Sequence, residues 1–273
     1  MTRPSPPTVS VVVPARNEAR NLEIVLPQLP DDAEIVLVDG HSVDDTIAVT
    51  RRLRPDATVV TQTRRGKGNA LACGFSVARG DVIVMFDADG SADAAEIPKF
   101  VDALTAGADV AKGTRFATAP TAGSEDITPL RRAGNAGLNR LANALLRSSY
   151  TDLCYGYNAF WSDLLPLLSL PDTGHPAPPG GMLWGDGFEI ETLLTCRFSR
   201  AGLKVAEVSS TEKQRIHGET HLRTFADGFR VLRTLGRECS RPGGLRESRQ
   251  LVSVGRGSAE RPDQVGARRR RVA

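Results

Sequence analysis

The chain is poor in paired cysteines and in long apolar runs, and each shortage excludes a class of protein. Its four cysteines, Cys73, Cys154, Cys196 and Cys239, are widely spaced and include no C-x-x-C pair. Neither a zinc site nor a disulfide framework is expected, and the thiols read as reduced. The longest apolar stretches, such as Val9 to Val13 and Val82 to Phe86, have the length of a strand, far below the roughly 18 residues of a membrane span. Met1 to Thr8 is a Pro-rich lead with no apolar segment behind a basic one. It is expected to be disordered, and the protein to be cytoplasmic with at most peripheral contact at the inner face of the cell membrane. No G-x-G-x-x-G follows the first strand-like segment, which sets aside a dinucleotide-binding oxidoreductase. That position holds Ala15-Arg16-Asn17-Glu18, not the Gly-rich, basic loop that a nucleotidyltransferase would place there.

What is present is an ordinary globular composition, 40% hydrophobic over 273 residues, enough to bury a substantial core in one large α/β domain or two small ones. The net charge of +3 is unevenly divided. Ser240 to Ala273 has nine Arg against Glu247, Glu260 and Asp263, which gives this tail +6 and leaves −3 for the rest. The tail lacks hydrophobic periodicity and is expected to be disordered. Its run Arg268 to Arg271 suits an anionic membrane as a weak tether, or nucleic acid, although a solvated tail is the ordinary reading and nucleic acid is the less expected partner.

From Val9 onward strands and helices alternate. Strands are expected at Val9–Pro14, Glu34–Asp39, Thr58–Thr61, Asp81–Asp87 and Asp109–Gly113, and helices at Asn21–Gln28, Asp44–Leu53, Lys67–Ala78 and Ala95–Gly107. Such alternation predicts an α/β fold with a mostly parallel, doubly wound sheet. Residues 9–113 then form one half of a domain ending at 239, and 114–239 the other. In the second half, Thr114–Pro129 reads as a long mobile loop, Leu130–Leu146 as a helix, Asn158–Trp161 as a strand, and Pro171–Gly181 as another loop. A helix over Phe188–Ala201, a strand over Lys204–Ser209 and an amphipathic helix over Leu222–Arg237 follow.

Ligands of such sheets sit at the carboxyl ends of the strands. Three of those ends are polar: Pro14 to Glu18, Asp39 to Ser42, and Asp87-Ala88-Asp89. Two carboxylates one residue apart after the buried strand Val82–Phe86 make a hard-oxygen site suited to Mg²⁺ or Mn²⁺ with a diphosphate completing the shell. An isolated pair of this kind can equally be a turn in which Asp89-Gly90 caps the next element.

The company it keeps is more specific. Pro14-x-x-Asn17-Glu18, Asp39-Gly40-x-Ser42-x-Asp44-x-Thr46, Gly66-Lys67-Gly68-Asn69 and Asp87-x-Asp89 occur in order, followed by Gly113-Thr114-Arg115-Phe116, Arg132-x-Gly134-Asn135, Gly187-Phe188-Glu189-Ile190-Glu191 and Arg215-x-His217-Gly218-Glu219-Thr220. Over Val9 to Leu235 this series resembles the family 2 glycosyltransferases of GT-A fold, in particular the dolichyl-phosphate mannose synthase branch. The resemblance implies that Asp39 accepts a hydrogen bond from the nucleobase, that Pro14, Asn17 and Glu18 line the base and ribose pocket, and that Lys67 lies near the nucleotide. It implies Asp89 as metal ligand and Asp87 as contact to the ribose or a metal-bound water. Asp39 could also be the acceptor of an Asx turn near Ser42, Asn17 could serve its own turn, and Gly66-Lys67-Gly68 could be a solvated turn. Ser91 stands where such synthases often have Gln, and His221 where many have Lys.

The same resemblance implies an inverting transfer of a hexose from a nucleoside-diphosphate sugar, GDP-mannose first and UDP-glucose second, to polyprenyl phosphate or, alternatively, to a soluble hydroxyl acceptor. A phosphate monoester is already mostly ionised near neutral pH and needs guanidinium groups more than a base. Arg115, Arg131 and Arg132 are the expected acceptor-phosphate contacts, and Arg215 the contact to donor phosphate. Asp186, Glu189 and Glu191 form an acidic cluster beside Trp184 and Phe188, with Glu189 the first choice for a base or sugar-orienting group.

Overall fold

The structure, a computed structural model, describes residues 3–116, 123–124, 129–179, 181–218 and 224–240, without the side chains of 129–131 and 224–227. Strands and helices alternate as the sequence predicts: β1 Val9–Ala15, α1 Ala19–Val25, β2 Glu34–Asp39, α2 Thr46–Leu53, β3 Thr58–Thr61, α3 Lys67–Val77, β4 Val82–Met85, α4 Ile97–Thr105 and β5 Val110–Thr114. The second half supplies β6 Gly123–Ser124, α5 Pro129–Leu146, β7 Asn158–Trp161, α6 Leu165–Leu168, α7 Ile190–Arg200, β8 Val205–Ser209, β9 Thr211–Glu212 and α8 Thr224–Cys239.

Seven strands form one sheet in the order β3-β2-β1-β4-β7-β5-β8, and β6 pairs with β9 apart from it. The sheet is mixed α/β and mostly parallel, with β7 alone running antiparallel to its neighbours β4 and β5. All four residues of β4 and of β7 are buried, the continuous apolar pattern of strands covered on both faces. Helix α3 packs on β1 and β2, and α4 on β5, β7 and β8. Its Phe100 stacks at 4.3 Å on Tyr157. A second, smaller core of Ala142, Leu153, Cys196 and Leu235 joins α5, α7 and α8.

Element ends differ from the expected ones for local reasons. The first helix begins at Ala19 and tightens into a 3₁₀ turn over Leu26–Gln28, where Pro27 cannot donate to the α ladder. The fourth strand is shorter than expected at both ends, Val82–Met85, and just before it the Asp81 carboxylate accepts the backbone N–H and hydroxyl of Thr8. The lead expected to be disordered is anchored in its described part: the Arg3 guanidinium donates to Asp109 at 2.8 Å and stacks on Trp161. Most of the expected 114–129 loop, and the expected tail beyond Ser240, lie outside the described residues. Among the described residues no helix is long and apolar enough to cross a membrane, and all four cysteines are free.

Candidate active site

Register brings the three polar strand ends together. Ala15 stands opposite Asp39, and Asp39 opposite Thr61, while Val12 stands opposite Met85. The loops after β1 and β2 are then tied to each other. Asn17, in the left-handed region at φ 57°, accepts the Val43 backbone N–H at 2.8 Å and donates its own N–H to the Ser42 hydroxyl at 2.9 Å. Asn17 therefore serves the turn, the alternative reading of its sequence position. The buried Asp39 carboxylate accepts only long hydrogen bonds from Ser42 N–H, at 3.2 and 3.3 Å. Asp44 takes the N–H of Ala19 and the hydroxyl of Thr46. Burial pushes its carboxyl up, but these bonds outweigh it and hold it below the ordinary range.

Asp87 and Asp89 leave the end of β4 as expected, and each carboxylate already faces a cation. Lys67, at the start of α3, lies 2.7 Å from Asp87 Oδ1 and 2.8 Å from Glu191 Oε1. Burial alone would lower its pKa, but the two carboxylates outweigh burial and raise it, so the ammonium stays charged. Burial pushes the Asp87 carboxyl up, Lys67 pulls it down and Asp89 pushes it up again, with a net rise. Asp89 Oδ1 accepts the hydroxyl of Ser91 at 2.7 Å and its N–H at 3.0 Å. Ser91 thus orients this carboxylate directly.

Arg215 is the second cation. It pairs with Glu18 and reaches Asp89 Oδ2 at 3.3 Å. Its segment is laid over the acidic turn by backbone bonds from Ile216 N–H to the Asp89 carbonyl and from Lys213 N–H to Ser91, and by the Lys213–Asp93 pair at 2.9 Å. Gly90, at φ 80°, permits this approach, since a Cβ there would meet the Ile216 side chain at 2.3 Å. Asn21 completes the bridge by bonding Glu18 and both backbone groups of His217. Asn21 is absent from the expected site residues. Its position three residues after Glu18, on the first turn of α1, is the signal that places it there.

Several expectations need correction. Gly66-Lys67-Gly68 is not a solvated turn. A Cβ at either glycine would lie about 2 Å from the carbonyls of Asp186 and Gly185, whose turn packs against them, and Asn69 N–H bonds the Asp186 carbonyl at 3.0 Å. Glu189 turns into its own loop, where its carboxylate accepts the N–H of Gly185 and Gly187. Of the acidic cluster, Glu191 is the member that meets Lys67, 2.8 Å away. Asp186 is buried against Arg64, 2.7 Å away. Arg115 is not a free phosphate contact: Asp152 binds it at two nitrogens and Glu212 at the third, and it stacks over Tyr155. Arg132 is exposed with its guanidinium 5.9 Å from the Phe116 ring. The Arg131 side chain and residues 219–223, with His221, lie outside the described residues.

Among the described residues no group of three or more His, Cys, Asp or Glu forms a ready metal cage. The donor set nevertheless fits a hard divalent cation. Two carboxylates stand one residue apart and each already draws a positive charge, Lys67 to Asp87 and Arg215 to Asp89, so a divalent ion would find hard oxygens here and complete its shell with phosphate oxygens and water.

A family model described as glycosyl transferase family 2 matches residues 10–165. Glycosyltransferase AglJ of Haloferax volcanii is 30% identical over 231 residues, covering 82% of this chain and 70% of its own. A dolichyl-phosphate hexose transferase of the same organism is 29% identical over 235 residues, with 85% and 93% covered. The solved complex of glucosyl-3-phosphoglycerate synthase from Mycobacterium tuberculosis with Mn²⁺, UDP and glucosyl-3-phosphoglycerate superimposes with a TM-score of 0.63 at 26% identity, covering 88% of this chain and 82% of that one.

Proposed function

The chain belongs to glycosyl transferase family 2 and is a glycosyltransferase, and from that premise we propose that it moves a hexose, with inversion, from a nucleoside-diphosphate sugar to polyprenyl phosphate. The observation that carries this reading is the pair of ionic chains Asp87–Lys67–Glu191 and Glu18–Arg215–Asp89, which gather two cations and four carboxylates at the strand ends. Pro14, Glu18 and Asp39 line the base and ribose side, with Asn17 shaping the loop. Asp89 and Asp87 would hold Mg²⁺ or Mn²⁺, which when bound supplies charge stabilisation for the departing nucleoside diphosphate. Arg215 exchanges its carboxylate partners for the donor diphosphate, and Lys67 keeps Asp87 and Glu191 in place.

The acceptor phosphate oxygen forms the new bond to the anomeric carbon as the bond to the diphosphate oxygen breaks. A dianionic phosphate needs no base for this step. Arg131 and Arg132 are the remaining basic groups for the acceptor, because Arg115 is held by Asp152 and Glu212. The dolichyl-phosphate relative favours a lipid acceptor and GDP-mannose is the donor proposed first. A second reading, UDP-glucose with a soluble hydroxyl acceptor, is favoured by the solved neighbour, whose complex holds UDP and glucosyl-3-phosphoglycerate. Meeting a lipid acceptor from outside the bilayer, the protein binds the cytoplasmic membrane face peripherally, and the Arg-rich tail adds attraction to anionic lipid.

The test is protection against thermal unfolding by GDP-mannose, UDP-glucose and UDP-GlcNAc, each with and without Mn²⁺. A donor at about a hundredfold its Kd stabilises the folded state by about 2.7 kcal/mol. Protection by GDP-mannose that EDTA removes is the expected result. Protection by UDP-glucose alone selects the second reading, and protection by no donor overturns both.

A further inference from the structure

Away from the strand ends, α8 and the turn before α7 enclose a groove of about 480 Å³, lined by Met182, Trp184, Phe229, Arg230, Arg233 and Arg237. Its composition is unusual for a solvent-facing surface. In its wall Phe229 is 70% exposed and Met182 51%, and beside it in the chain Leu232 on α8 is 44% exposed and Phe188, just before α7, 48%. Between these side chains stand guanidiniums: Arg237 lies 4.3 Å and Arg233 5.7 Å from the centre of the Trp184 ring. Stacking engages the face of a guanidinium and keeps its N–H edge available to an anion. On α8 the exposed positions Phe229, Leu232, Arg233, Gly236 and Arg237 follow helical spacing, so aromatic, aliphatic and cationic groups share one stripe. The inner side of the same helix is satisfied: Leu235 is in the small core, and Glu238 receives Trp184 Nε1 and Arg197.

We propose that this groove and its rim are a docking face for an anionic bilayer, with Phe229, Leu232, Met182 and Phe188 entering the interface and Arg233 and Arg237 taking headgroup phosphates. The inference deepens the membrane contact proposed above and rests on that reading. Three features select a lipid surface as the occupant. Exposed aromatic and aliphatic groups interleaved with arginine match the boundary between headgroups and acyl chains. The wall is predominantly cationic, three arginines against Glu189, whose carboxylate is turned onto the N–H groups of Gly185 and Gly187 in its own loop. The chain also leaves α8 directly into residues 241–273, which carry nine Arg and only three acidic residues, adding cation to the end of α8. The face adjoins the active crevice through one short segment, because Glu191, two residues beyond Glu189, is the partner of Lys67. Docking there would hold the 185–191 turn, and the acceptor half with it, against the surface that contains a lipid acceptor.

The experiment uses the full chain with vesicles of phosphatidylcholine alone, of phosphatidylcholine with phosphatidylglycerol, and of the latter with brominated acyl chains. Trp184 is the reporter, since Trp161 is buried with its Nε1 on the Ala108 carbonyl and residues 241–273 contain no Trp. The expected result is association with anionic vesicles, a blue shift of the emission and quenching by bromine. Exchanging Arg233 and Arg237 together for Gln (R233Q/R237Q) should weaken association about thirtyfold, and Phe229→Ser should reduce the quenching. Association without any change in Trp184 emission would assign binding to the Arg-rich segment and overturn the docking face. Absence of association would overturn membrane contact altogether. Donor protection in the same variants should match the parent chain, so a failure of the glycosyl-transfer reading shows separately, as loss of donor protection in the parent.

Discussion

Residues up to Gly113 and those after it position their functional groups by different means. In the first half Asp39 and Asp87 stand at the ends of parallel strands whose register is set by the sheet, and the loops between are closed mainly by backbone N–H groups donating to the side chains of Asn17, Ser42, Asp44 and Thr46. In the second half charge does this work: Arg115 is held by Asp152 and Glu212, Glu191 by Lys67, Arg215 by Glu18 and Asp89, and Asp186 by Arg64. A ladder position cannot move without unpairing a strand, whereas an ion pair can exchange its partner for a ligand's charge. On the proposed function, the donor would meet a preset edge of the sheet, with exchangeable ion pairs from the later segments beside it. Where such a pair is wholly buried it is structural instead, because an unpartnered charge in the interior is costly.

The largest expected effect tests the preset edge. Asp89→Ala removes a carboxylate that Ser91 orients but no strand depends on, so transfer should fall about a thousandfold, some 4 kcal/mol, with little change in thermal midpoint. Residual turnover near the parental rate would show that the acidic pair is only a turn. Next in size, Arg64→Met should destabilise the protein by about 3 kcal/mol, read as a shift in the denaturant midpoint. Arg64 and Asp186 are fully buried, and Arg64 also bonds the Asp172 and His175 carbonyls. A neutral outcome would mean that water reaches Asp186 and that this pair resembles the exchangeable ones.

This division also explains what was legible in the sequence. The strands of the large sheet, the acidic pair after β4 and the convergence of three polar ends follow from apolar runs and their bounding residues, which are local signals; β6, inside the expected 114–129 loop, and β9 have no apolar run and are not among the expected strands. Partners of charged side chains are not local: Arg64 and Asp186 are 122 positions apart, and Arg115 and Glu212 are 97. Nothing in an arginine's neighbours in sequence tells a buried partner from a phosphate, which is why Arg115 reads as an acceptor contact until its two carboxylates are seen. The different surroundings of Glu189 and Glu191 have a similar cause. The turn over Gly185 to Gly187, with Gly185 at φ 101°, directs its N–H groups onto Glu189 and leaves Glu191 on α7 facing Lys67. Gly66 and Gly68 read as a solvated turn until the backbone of Gly185 and Asp186, far along the chain, is seen packed against them.

Arg215→Ala sharpens the comparison by separating two consequences of one ion pair. Turnover should fall about tenfold, through lost stabilisation of the donor diphosphate. Affinity for Mn²⁺ in the absence of nucleotide should rise, by roughly fivefold, because the guanidinium no longer competes for Asp89 in a partly exposed pair. Isothermal titration with Mn²⁺ and steady-state rates on the same preparation give both numbers. Falls in both would place Arg215 among the fixed supports of the acidic turn, alongside Arg64.

The smallest effect concerns the opposite end of the sheet, where ladder and charge meet. Glu34 opens β2, and its carboxylate accepts the Ser10 hydroxyl at 2.5 Å, the Arg79 N–H at 2.7 Å and the Arg79 guanidinium at 2.8 Å. Burial pushes its carboxyl up, but these hydrogen bonds and the Arg79 charge outweigh burial and hold it below the ordinary value of 4.5. The folded state then binds the proton less readily than the unfolded chain. The stability this contributes is present above that value and is lost as the pH falls through the lowered one. Glu34→Gln should cost about 1 kcal/mol at neutral pH, and the gap should close in acid, as followed by thermal unfolding of both proteins across that range. A gap independent of pH would assign the effect to the shape of the hydrogen bonds and not to charge. Either way donor protection should be unchanged, because β2 delivers Asp39 from its other end through a ladder that Glu34 only begins.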